Sequence, residues 1–486
     1  MAILRPLTAG VATCFTCPST GLRKKRTRGS RAEGQAMTGD EVRQVFEAML
    51  PQGEIDCLCA QFGVIERQRK LKLGMFVRAM VISAGTPGGA YQADVLRSYL
   101  EFEVPPVARS AFYRWFDEPL ERFMAALADR ALAYARAQQV DLSGPLCGVT
   151  DWYIVDATTV TVRDALREEF PGTGGYAAIK VHKILSVGCG APVQYHFSPA
   201  REHDSRHLQI EESWRGYGLL ADLAYASLDR LRACETHGVR YVIRLKANWK
   251  PKVDHIARGQ VTQEFFPGTD FDALLEDHTL VLDGRTIDAD VHVGRGRHAL
   301  ALRLVGVQTP KGYCFFLTNL PPRIGPRQVA DLYRVRWEVE LSIRLDKSVN
   351  RLDAIDAEQP CTLKTLLHAS LIASTIAALL AHTHNVQTRP QQAGAPRTQA
   401  PLHPRLLALQ LAVSCQSIAQ AFELTGTEAT RRWDNIAELL TPSGKDPTWR
   451  RRPSVLDQLR GWKRQPLARK QANSRDISPR NIQEAA

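Results

Sequence analysis

The chain has 486 residues, 44% of them hydrophobic, and is therefore long enough to form two or three globular domains. Its formal net charge of +12 and its pI near 9.3 favour a polyanionic partner such as a nucleic acid, because Lys and Arg residues that neutralise phosphates release counterions. The longest apolar run, Leu371 to Leu380, is too short to cross a bilayer and contains two hydroxyl residues, so no membrane span is predicted.

The spacing of the cysteines argues against a structural zinc finger. Among ten cysteines, only Cys14 with Cys17 and Cys57 with Cys59 are close in sequence, and neither pair has a second Cys or His pair at zinc-finger spacing. We therefore expect reduced thiols, as in the cytosol.

The N-terminal part is predicted to be helical after a basic leader. Residues 1–36 combine two prolines with the basic run from Arg23 to Arg28, so they are predicted to be disordered, and Met37 is an alternative start. From 37 to 145, apolar residues recur every three or four positions, as in Leu120 to Gln138. This pattern predicts an all-helical domain.

At about residue 146 the composition changes to that of an α/β domain, which we expect to extend to 350. The segment WYIVDATTVTVR at 152–163 is rich in β-branched and aromatic residues, which indicates a strand. Further strands are predicted at Ala178–Val187, Pro192–Phe197, Gly218–Asp222 and Val239–Leu245, with helices near Ser205–Trp214 and Ser227–His237. This alternation predicts a mixed sheet flanked by helices.

Short apolar runs separated by Gly and Asp turns predict a β-rich insertion at about 250–320. Its strands are predicted at Thr279–Leu282, Ala289–Val293, Ala299–Val305 and Cys314–Thr318. Helices follow at Pro326 to about Val349 and at Thr362–His382, the second within a core-packing segment at 351–385. Residues 386–404, rich in Pro, Gln and Ala, are a predicted linker, and 405–486 a helical region (Leu406–Leu424, Arg431–Leu440) with a basic tail.

Four polar residues form a stripe on the helix that follows Pro326. At about 100° per residue, Tyr333, Arg336, Glu340 and Lys347 fall within a sector about 60° wide. The residues alone leave two interpretations open. One is an ordinary amphipathic helix with i,i+4 ion pairs, each contributing about 0.2–0.5 kcal/mol. The other is a set of side chains directed at one ligand.

The pattern Y-x2-R-x3-E-x6-K resembles the defining motif of bacterial DDE transposases in the insertion-sequence-four family, which includes the transposase of transposon five. Asp156, within Ile-Val-Asp-Ala-Thr-Thr, looks like the first catalytic aspartate of that family, and Asp222 looks like the second. Glu340 would be the third carboxylate. Lys180-Val181-His182 and His203-Asp204 also resemble the family, whereas Ala224 stands where the family often has Gly.

This resemblance implies an RNase H-like core with a β-rich insertion, in which the two aspartates come from adjacent strands and the glutamate from a helix packed against the sheet. Asp156, Asp222 and Glu340 would bind two Mg²⁺ ions per site, with Mn²⁺ as a substitute, because hard cations prefer carboxylate oxygens. Two such ions can activate water or a 3′-hydroxyl and stabilise the leaving oxygen. The implied activity is cut-and-paste transposition of an insertion sequence, by phosphodiester hydrolysis and strand transfer.

The resemblance also implies residues that contact DNA. Tyr333, Arg336 and Lys347 would hold the phosphate near the transposon end. Trp337 is a candidate for base stacking, although a core position is the favoured interpretation. Tyr313 and Phe315 of the insertion are stacking candidates too, and strand alternation directs both away from the face that carries Phe316. His182 and His203 are expected to make structural hydrogen bonds.

The implied partners are double-stranded DNA, as terminal inverted repeats and as target, and a second copy of the chain in a synaptic complex. The helical domain at 37–145 would recognise the repeats, and the region at 405–486 would support dimerisation. Such a protein works without a membrane, in the bacterial cytoplasm at the nucleoid. Two alternatives stay open: an RNase H-like metal-dependent nuclease that cuts without joining, and an inactive relic that only binds DNA.

Overall fold

A ten-stranded mixed sheet organises the middle of the chain. The structure is a computed structural model that describes residues 36–64, 71–84, 91–102, 104–294, 296, 299–389, 399–450 and 454–460. The predicted leader up to residue 35, most of the predicted linker (390–398) and most of the basic tail (451–453 and 461–486) lie outside the described residues.

Twelve strands are present in the described residues, and ten of them form the large sheet. They are β1 (Trp152–Thr161), β2 (Ala178–Ser186), β3 (Pro192–Pro199), β4 (Gly218–Ala221), β5 (Arg240–Arg244), β6 (Lys252–Arg258), β7 (Gln260–Val261), β8 (Thr269–Asp270), β9 (Leu280–Val281), β10 (Ile287–Val293), β11 (Leu300–Thr309) and β12 (Gly312–Thr318). The spatial order of the large sheet is β3-β2-β1-β4-β5-β12-β11-β10-β6-β8, and β7 pairs with β9 separately.

The directions of the strands divide the large sheet into a core half and an insertion half. In the core half, β1, β2 and β3 are antiparallel neighbours, and β4 and β5 run parallel to β1. In the insertion half, β12, β11, β10, β6 and β8 are all antiparallel to their neighbours. The two halves join where β12 pairs with β5, over Phe316 to Thr318. The insertion therefore continues the sheet of the core.

Fifteen helices surround this sheet in the described residues. They are α1 (Gly39–Met49), α2 (Gln52–Phe62), α3 (Leu73–Ser83), α4 (Gln92–Leu100), α5 (Arg109–Tyr113), α6 (Glu118–Arg136), α7 (Leu228–Thr236), α8 (Phe271–Glu276), α9 (Pro326–Arg334), α10 (Trp337–Ser348), α11 (Pro360–Gln387), α12 (Pro404–Val413), α13 (Cys415–Glu423), α14 (Gly426–Gly444) and α15 (Val455–Leu459). The predicted architecture, a mixed sheet flanked by helices with a β-rich insertion and helical regions at both ends, is confirmed.

Side-chain caps fix where several helices begin. Thr38 accepts a hydrogen bond from the backbone N–H of Glu41, whose carboxylate accepts one from the N–H of Thr38, which forms a capping box at α1. Asp117 caps α6 and Ser227 caps α7 through one hydrogen bond each. In both cases the side chain accepts from the backbone N–H three residues further along the chain.

The longest helix, α11, lies in the centre of the molecule. Its length and apolar composition would suffice to cross a membrane, but 89% of its apolar window is buried inside the protein. It packs against α6, α12 and α3, and it belongs to the largest hydrophobic core. The prediction that the run from Leu371 to Leu380 forms a buried helix is therefore confirmed.

Helices from both ends of the chain share this largest core. The backbone N–H of Met37 donates to Thr441 Oγ1 at 3.0 Å, and Phe46 packs on Trp433 with ring centroids 5.8 Å apart. The ends of the predicted linker also meet, because Asn385 exchanges two hydrogen bonds with the backbone of Leu402. The predicted helical regions at 37–145 and 405–486 are thus packed together, whereas their boundaries as functional domains stay predictions.

Three predicted helices differ in the structure. The segment predicted as a helix near Ser205–Trp214 contains only two short 3₁₀ turns, at Asp204–His207 and Glu212–Trp214. The reason is that the guanidinium of Arg230 binds the carbonyl oxygens of Ser205 and Leu208, which a helix would use internally. The predicted helix from Pro326 to Val349 is divided into α9 and α10, and the predicted helix Leu406–Leu424 into α12 and α13.

Candidate active site

Two aspartates come together at one edge of the core half of the sheet. β1 and β4 are parallel neighbours, and their register pairs Val155 with Ala221. Asp156 and Asp222 are the next residue on each chain, so their backbones lie about one strand spacing apart, or about 4.8 Å. Both side chains are partly buried. This edge contains the carboxyl end of β4 and the carboxyl end of the segment of β1 that pairs with β4. Ligand sites of open α/β sheets are found at the carboxyl ends of strands.

Helix α10 supplies the third carboxylate, that of Glu340. The guanidinium of Arg336, at the start of this helix, donates to Glu340 Oε1 at 2.5 Å. Its other terminal nitrogen lies 3.7 Å from a carboxylate oxygen of Asp156. The i,i+4 ion pair of the simpler sequence interpretation is therefore present, and it lies at the same place as the proposed carboxylate cluster.

Buried contacts hold α10 against β1 and β2. Lys183 on β2 is paired in register with Asp156, and its ammonium forms a fully buried ion pair with Asp346 of α10. The same ammonium donates to Ser342 Oγ at 3.1 Å. Lys347, which directly follows Asp346 on α10, donates to the carbonyl oxygen of Thr159 on β1 at 2.9 Å. These contacts fix the position of Glu340 relative to Asp156.

The charges of the cluster favour a bound cation. Burial, together with the smaller effects of the Asp222 and Glu340 carboxylates, raises the pKa of Asp156 to about 6, although the N–H of Ala157 and the guanidinium of Arg336 oppose the shift. Burial alone would lower the pKa of Arg336. The hydrogen bond to Glu340 and the electrostatic interactions with Tyr333, Glu340 and Asp222 outweigh burial and raise it. Three carboxylates with such mutual repulsion are a fitting donor set for hard divalent ions.

Two aromatic residues flank Arg336 in different environments. Tyr333 packs on Phe316 with ring centroids 5.1 Å apart, and burial raises its pKa to about 12. Trp337, in contrast, is 51% exposed. The favoured interpretation of Trp337 as a core residue is therefore wrong. The cause is the turn between α9 and α10, where i→i−3 hydrogen bonds at Val335 and Arg336 replace regular α-helical geometry.

The aromatic residues of β12 lie on opposite faces, as strand alternation predicts. Phe316 is buried beside α9, whereas Tyr313 and Phe315 stack on each other with ring centroids 5.9 Å apart and an interplanar angle of 17°. Phe315 also contacts Phe271 edge to face at 5.0 Å. β12 is antiparallel to β5 and extends past its carboxyl end, so this aromatic pair lies on the same edge as the aspartates.

Arg244 is a residue of this edge that the sequence reasoning missed. The register Leu220 with Val242, continued by two residues, brings Asp222 beside Arg244, which in turn pairs with Phe316. Arg244 is exposed and close enough to Tyr333 to oppose its pKa rise. The feature that could have identified Arg244 was its position at the end of β5, the strand next to the one that Asp222 follows. An exposed cation at this edge is suited to an anionic ligand.

The two histidines named from the sequence make the structural hydrogen bonds expected of them. His182 Nε2 lies 2.9 Å from Ser198 Oγ, and His203 Nδ1 accepts from the N–H of Ser205 at 3.2 Å. His182 points to the face of the sheet opposite Asp156, because neighbouring residues of β1 and β2 alternate between faces. Neither histidine therefore belongs to the carboxylate cluster.

Comparison with known proteins identifies a matching domain. Residues 149–376 match the family model described as the transposase DDE domain. This segment contains all three carboxylates of the cluster. The finer assignment to the insertion-sequence-four family, and the likeness to the transposon-five transposase, stay predictions.

Curated relatives match parts of the chain. A 64-residue segment, 13% of this chain and 17% of the relative, is 41% identical to the putative transposase InsL for insertion sequence element IS186A of Escherichia coli strain K12. The transposase for IS231C of Bacillus thuringiensis subsp. berliner is 24% identical over 237 residues, 40% of this chain and 49% of the relative. The transposase for IS1151 of Clostridium perfringens is 23% identical over 270 residues, 46% of this chain and 56% of the relative.

The matches thus span between 17% and 56% of the length of these relatives. Among solved structures, a cryo-EM structure of the piggyBac transposase synaptic complex with hairpin DNA aligns with a TM-score of 0.41 and 12% sequence identity. The alignment covers 85% of this chain and 89% of that chain.

Proposed function

We propose that this chain is a DNA transposase that moves an insertion sequence by cut-and-paste transposition, hydrolysing phosphodiesters at the terminal inverted repeats and joining the 3′ ends to target DNA. The observation that carries the proposal is the meeting of Asp156, Asp222 and Glu340 at one sheet edge, inside the segment that matches the transposase DDE domain. The three residues are far apart in sequence, so only the fold unites them.

The carboxylates of Asp156, Asp222 and Glu340 would hold two divalent ions, Mg²⁺ or Mn²⁺. When bound, such ions lower the pKa of a nucleophile and stabilise the leaving oxygen. The raised pKa of Asp156 supports this role, because a cation relieves the repulsion that causes part of the shift. Partial burial limits the water around the carboxylates and strengthens their interaction with charge.

The cations around the cluster would bind and orient the DNA backbone. Arg336 lies between two carboxylates and presents a planar fork that matches a phosphate, and Arg244 extends the positive surface along the edge. Lys347 is partly exposed on the same helix as Glu340, and Tyr333 lies one turn before Arg336. Together they suit the phosphate at the transposon end.

Exposed aromatic surfaces near this edge would bind bases. Trp337 offers a ring that is 51% exposed, next to Arg336 in sequence. Tyr313 and Phe315 form a half-buried stacked pair in the insertion. Stacking on aromatic rings contributes about 1–3 kcal/mol per base and tolerates any sequence, so it suits bases displaced at a cleaved end.

The first prediction concerns the carboxylates. We expect Asp156→Ala, Asp222→Ala and Glu340→Ala each to lower Mg²⁺-dependent cleavage of DNA that carries the element's inverted repeats by at least about 10³-fold. DNA binding in gel-shift assays should persist, because the helical region and the basic edge are unchanged. Asp229→Ala, at an exposed aspartate of α7, is the matched control and should cleave normally. Full cleavage by Glu340→Ala would contradict the proposal.

Strand transfer separates the proposal from its two alternatives. A pre-cut end with a free 3′-hydroxyl should be joined to a target plasmid, whereas a nuclease without joining activity leaves only nicks. Arg336→Gln removes the guanidinium but keeps all three carboxylates, and it should weaken end binding and joining more than metal binding. A chain that binds DNA but neither cuts nor joins it under any metal condition is a relic.

The remaining parts of the proposal follow from the same activity. The helical region at 37–145 would recognise the repeats, and 405–486 would support a homodimer in the synaptic complex. The net charge of +12 supports contact with double-stranded DNA through phosphates, and such binding weakens steeply as salt increases. The protein would act in the bacterial cytoplasm, at the nucleoid.

A further inference from the structure

A cluster of three histidines lies on the face of the sheet opposite the carboxylates. His182 on β2 and His196 on β3 are paired in register, and their rings stack with centroids 4.4 Å apart. His207, from the 3₁₀ turn after β3, places its ring 4.2 Å from that of His182. One ring nitrogen from each of the three lies within 4.8 Å of the others.

Hydrogen bonds define which ring nitrogens face inward. The hydroxyl of Ser198 is directed at the carbonyl of Pro199, so it accepts from Nε2–H of His182 at 2.9 Å. His182 Nδ1 is then a bare lone pair, and it is buried without a hydrogen-bond partner among the described residues. A carboxylate oxygen of Glu202 lies 2.9 Å from Nε2 of His207, outside hydrogen-bond geometry, and its negative charge favours the proton on Nε2 and the lone pair on Nδ1 of His207.

The third histidine faces this lone pair. His196 Nε2 lies 2.9 Å from His207 Nδ1, so in the absence of an ion it must carry the proton between them. His196 Nδ1 is then a second buried lone pair without a partner among the described residues. Unpaired buried acceptors of this kind destabilise a folded protein, because they lose their hydrogen bonds to water. A cation among the rings would reduce this cost, because it would bind Nδ1 of His182.

The surroundings of the rings resemble those of protein metal centres. Metal-binding histidines commonly direct their second ring nitrogen at a carboxylate or another polar group. His207 Nε2 lies 2.9 Å from a carboxylate oxygen of Glu202, outside hydrogen-bond geometry, and His182 Nε2 donates to Ser198. The rings and Tyr225 line a small cavity, and the Tyr225 hydroxyl is buried without a hydrogen-bond partner among the described residues. The cavity therefore has room and a polar partner for a further ligand.

The donors select the class of ion. Each neutral imidazole ring carries a proton on one nitrogen and offers the lone pair of the other. Neutral imidazole nitrogens suit zinc and its neighbours among the divalent transition metals, whereas Mg²⁺ prefers oxygen ligands. Zinc bonds to nitrogen of about 2.0–2.1 Å place tetrahedral ligands about 3.3 Å apart, so the rings must close by about 1.5 Å at most.

We propose that His182, His196 and His207 bind one zinc-type divalent ion, with water as the fourth ligand, and that this ion fastens β2, β3 and the turn at 204–207 behind the carboxylate edge. The site is separate from the carboxylate cluster, because His182 and Asp156 face opposite sides of the sheet. It does not rest on the proposed transposase function. We assign it a structural role because it joins three separate segments of the chain within a largely buried pocket.

Cobalt is a suitable probe, because tetrahedral Co²⁺ absorbs visible light far more strongly than the octahedral ion expected at a carboxylate site. The metal-stripped full chain is titrated with Co²⁺ in excess Mg²⁺, which fills the carboxylates. We expect an intense band that saturates at one ion per chain and is abolished by added Zn²⁺. Asp156→Asn should keep the band. A chain without the band, or with one that Mg²⁺ removes, overturns the proposal.

Variants of the cluster test its ligands. His196→Gln and His207→Gln should each weaken Co²⁺ binding by at least about tenfold, whereas His255→Gln, at a largely exposed histidine of β6, should leave it unchanged. Zn²⁺ should raise the thermal midpoint of the unsubstituted chain by about 2–4 °C and leave that of His207→Gln unaltered. Equal Zn²⁺ stabilisation of both chains contradicts the proposal, and circular dichroism verifies that each variant is folded.

Discussion

At the scale of single residues, Arg336 already balances part of the negative charge that Asp156 and Glu340 bring together. Without a cation the three carboxylates repel one another, and the guanidinium contacts two of them. Burial nevertheless keeps the pKa of Asp156 at about 6, well above its ordinary value of 3.8. The folded chain therefore carries an electrostatic cost at this position, as is common at functional sites.

This cost predicts a stabilising substitution. Between the ordinary and the raised pKa of Asp156, the folded state binds more protons than the unfolded state, so the free energy of unfolding falls as pH rises through that window. In EDTA at pH 7, we expect Asp156→Asn to raise the free energy of unfolding by about 1–3 kcal/mol. Urea denaturation measures this change.

The pH dependence supplies the control for this prediction. The advantage of Asp156→Asn should disappear below about pH 4, where the aspartate is protonated in both states. Asp229→Asn, at an exposed site, should change stability little at either pH. An advantage of Asp156→Asn that is equal at pH 4 and pH 7 would point to packing and contradict the electrostatic explanation.

The sequence predicted the carboxylates and the polar stripe of α9 and α10 because each is part of a short motif. Arg244 and His196 carry no such pattern, and their neighbours are set by strand register, which a single sequence does not reveal. His207 depends on a turn where a helix was predicted. Trp337 was misjudged because a wheel of constant pitch ignores the tightened turn before α10.

At the scale of secondary-structure elements, α10 positions Glu340 through the buried pair of Lys183 and Asp346. Both side chains are 1% exposed, and the pair joins the helix to the strand beside Asp156. Nothing in the strand of Lys183, which also carries Lys180 and His182, indicated this partner, because 163 residues separate the two. The strands of the core half were predictable from their β-branched residues, and their observed bounds differ little from the predicted ones, whereas β6, β7 and β8 of the insertion were not predicted.

Removing one partner of the Lys183–Asp346 pair should lower the free energy of unfolding more than replacing both partners by apolar residues. Asp346→Ala leaves the ammonium of Lys183 buried without its counter-ion, and we expect a loss of about 3–5 kcal/mol in the free energy of unfolding. The double variant Lys183→Met/Asp346→Leu removes both charges and should lose less than the single variant. Urea denaturation of the three chains tests the prediction. A single variant as stable as the double variant would refute it.

At the scale of the whole molecule, the described helices of both ends form one hydrophobic core with α11. Phe46 of α1 packs against Phe422 and Trp433, which follow it by more than 370 residues. The sequence indicated helices at both ends but not their association, since amphipathic faces do not specify their partners. Folding of the N-terminal helices therefore depends on the C-terminal ones.

A core substitution at this junction should weaken the entire fold. Trp433→Ala removes a side chain that is 2% exposed, and we expect a loss of about 3–5 kcal/mol with a single cooperative transition. Leu439→Ala, on the same helix but 52% exposed, is the matched control and should lose little. Thermal unfolding followed by circular dichroism distinguishes the outcomes. Two transitions, of which only one shifts, would indicate separate folding units.

β5 joins the two halves of the large sheet, and it pairs with β4 and with β12 over only three residues each. The sheet therefore resists twisting weakly at β5. β4 contacts β5 only over Gly218 to Leu220, and β12 only over Phe316 to Thr318, whereas β1 pairs with β2 along almost its whole length. When the two halves twist against each other, the rotation concentrates at the strand with the fewest hydrogen bonds to distort. We expect such a rotation to move Tyr313 and Phe315 relative to Asp156 and Asp222, because the aromatic pair and the aspartates lie on opposite sides of β5 in the sheet.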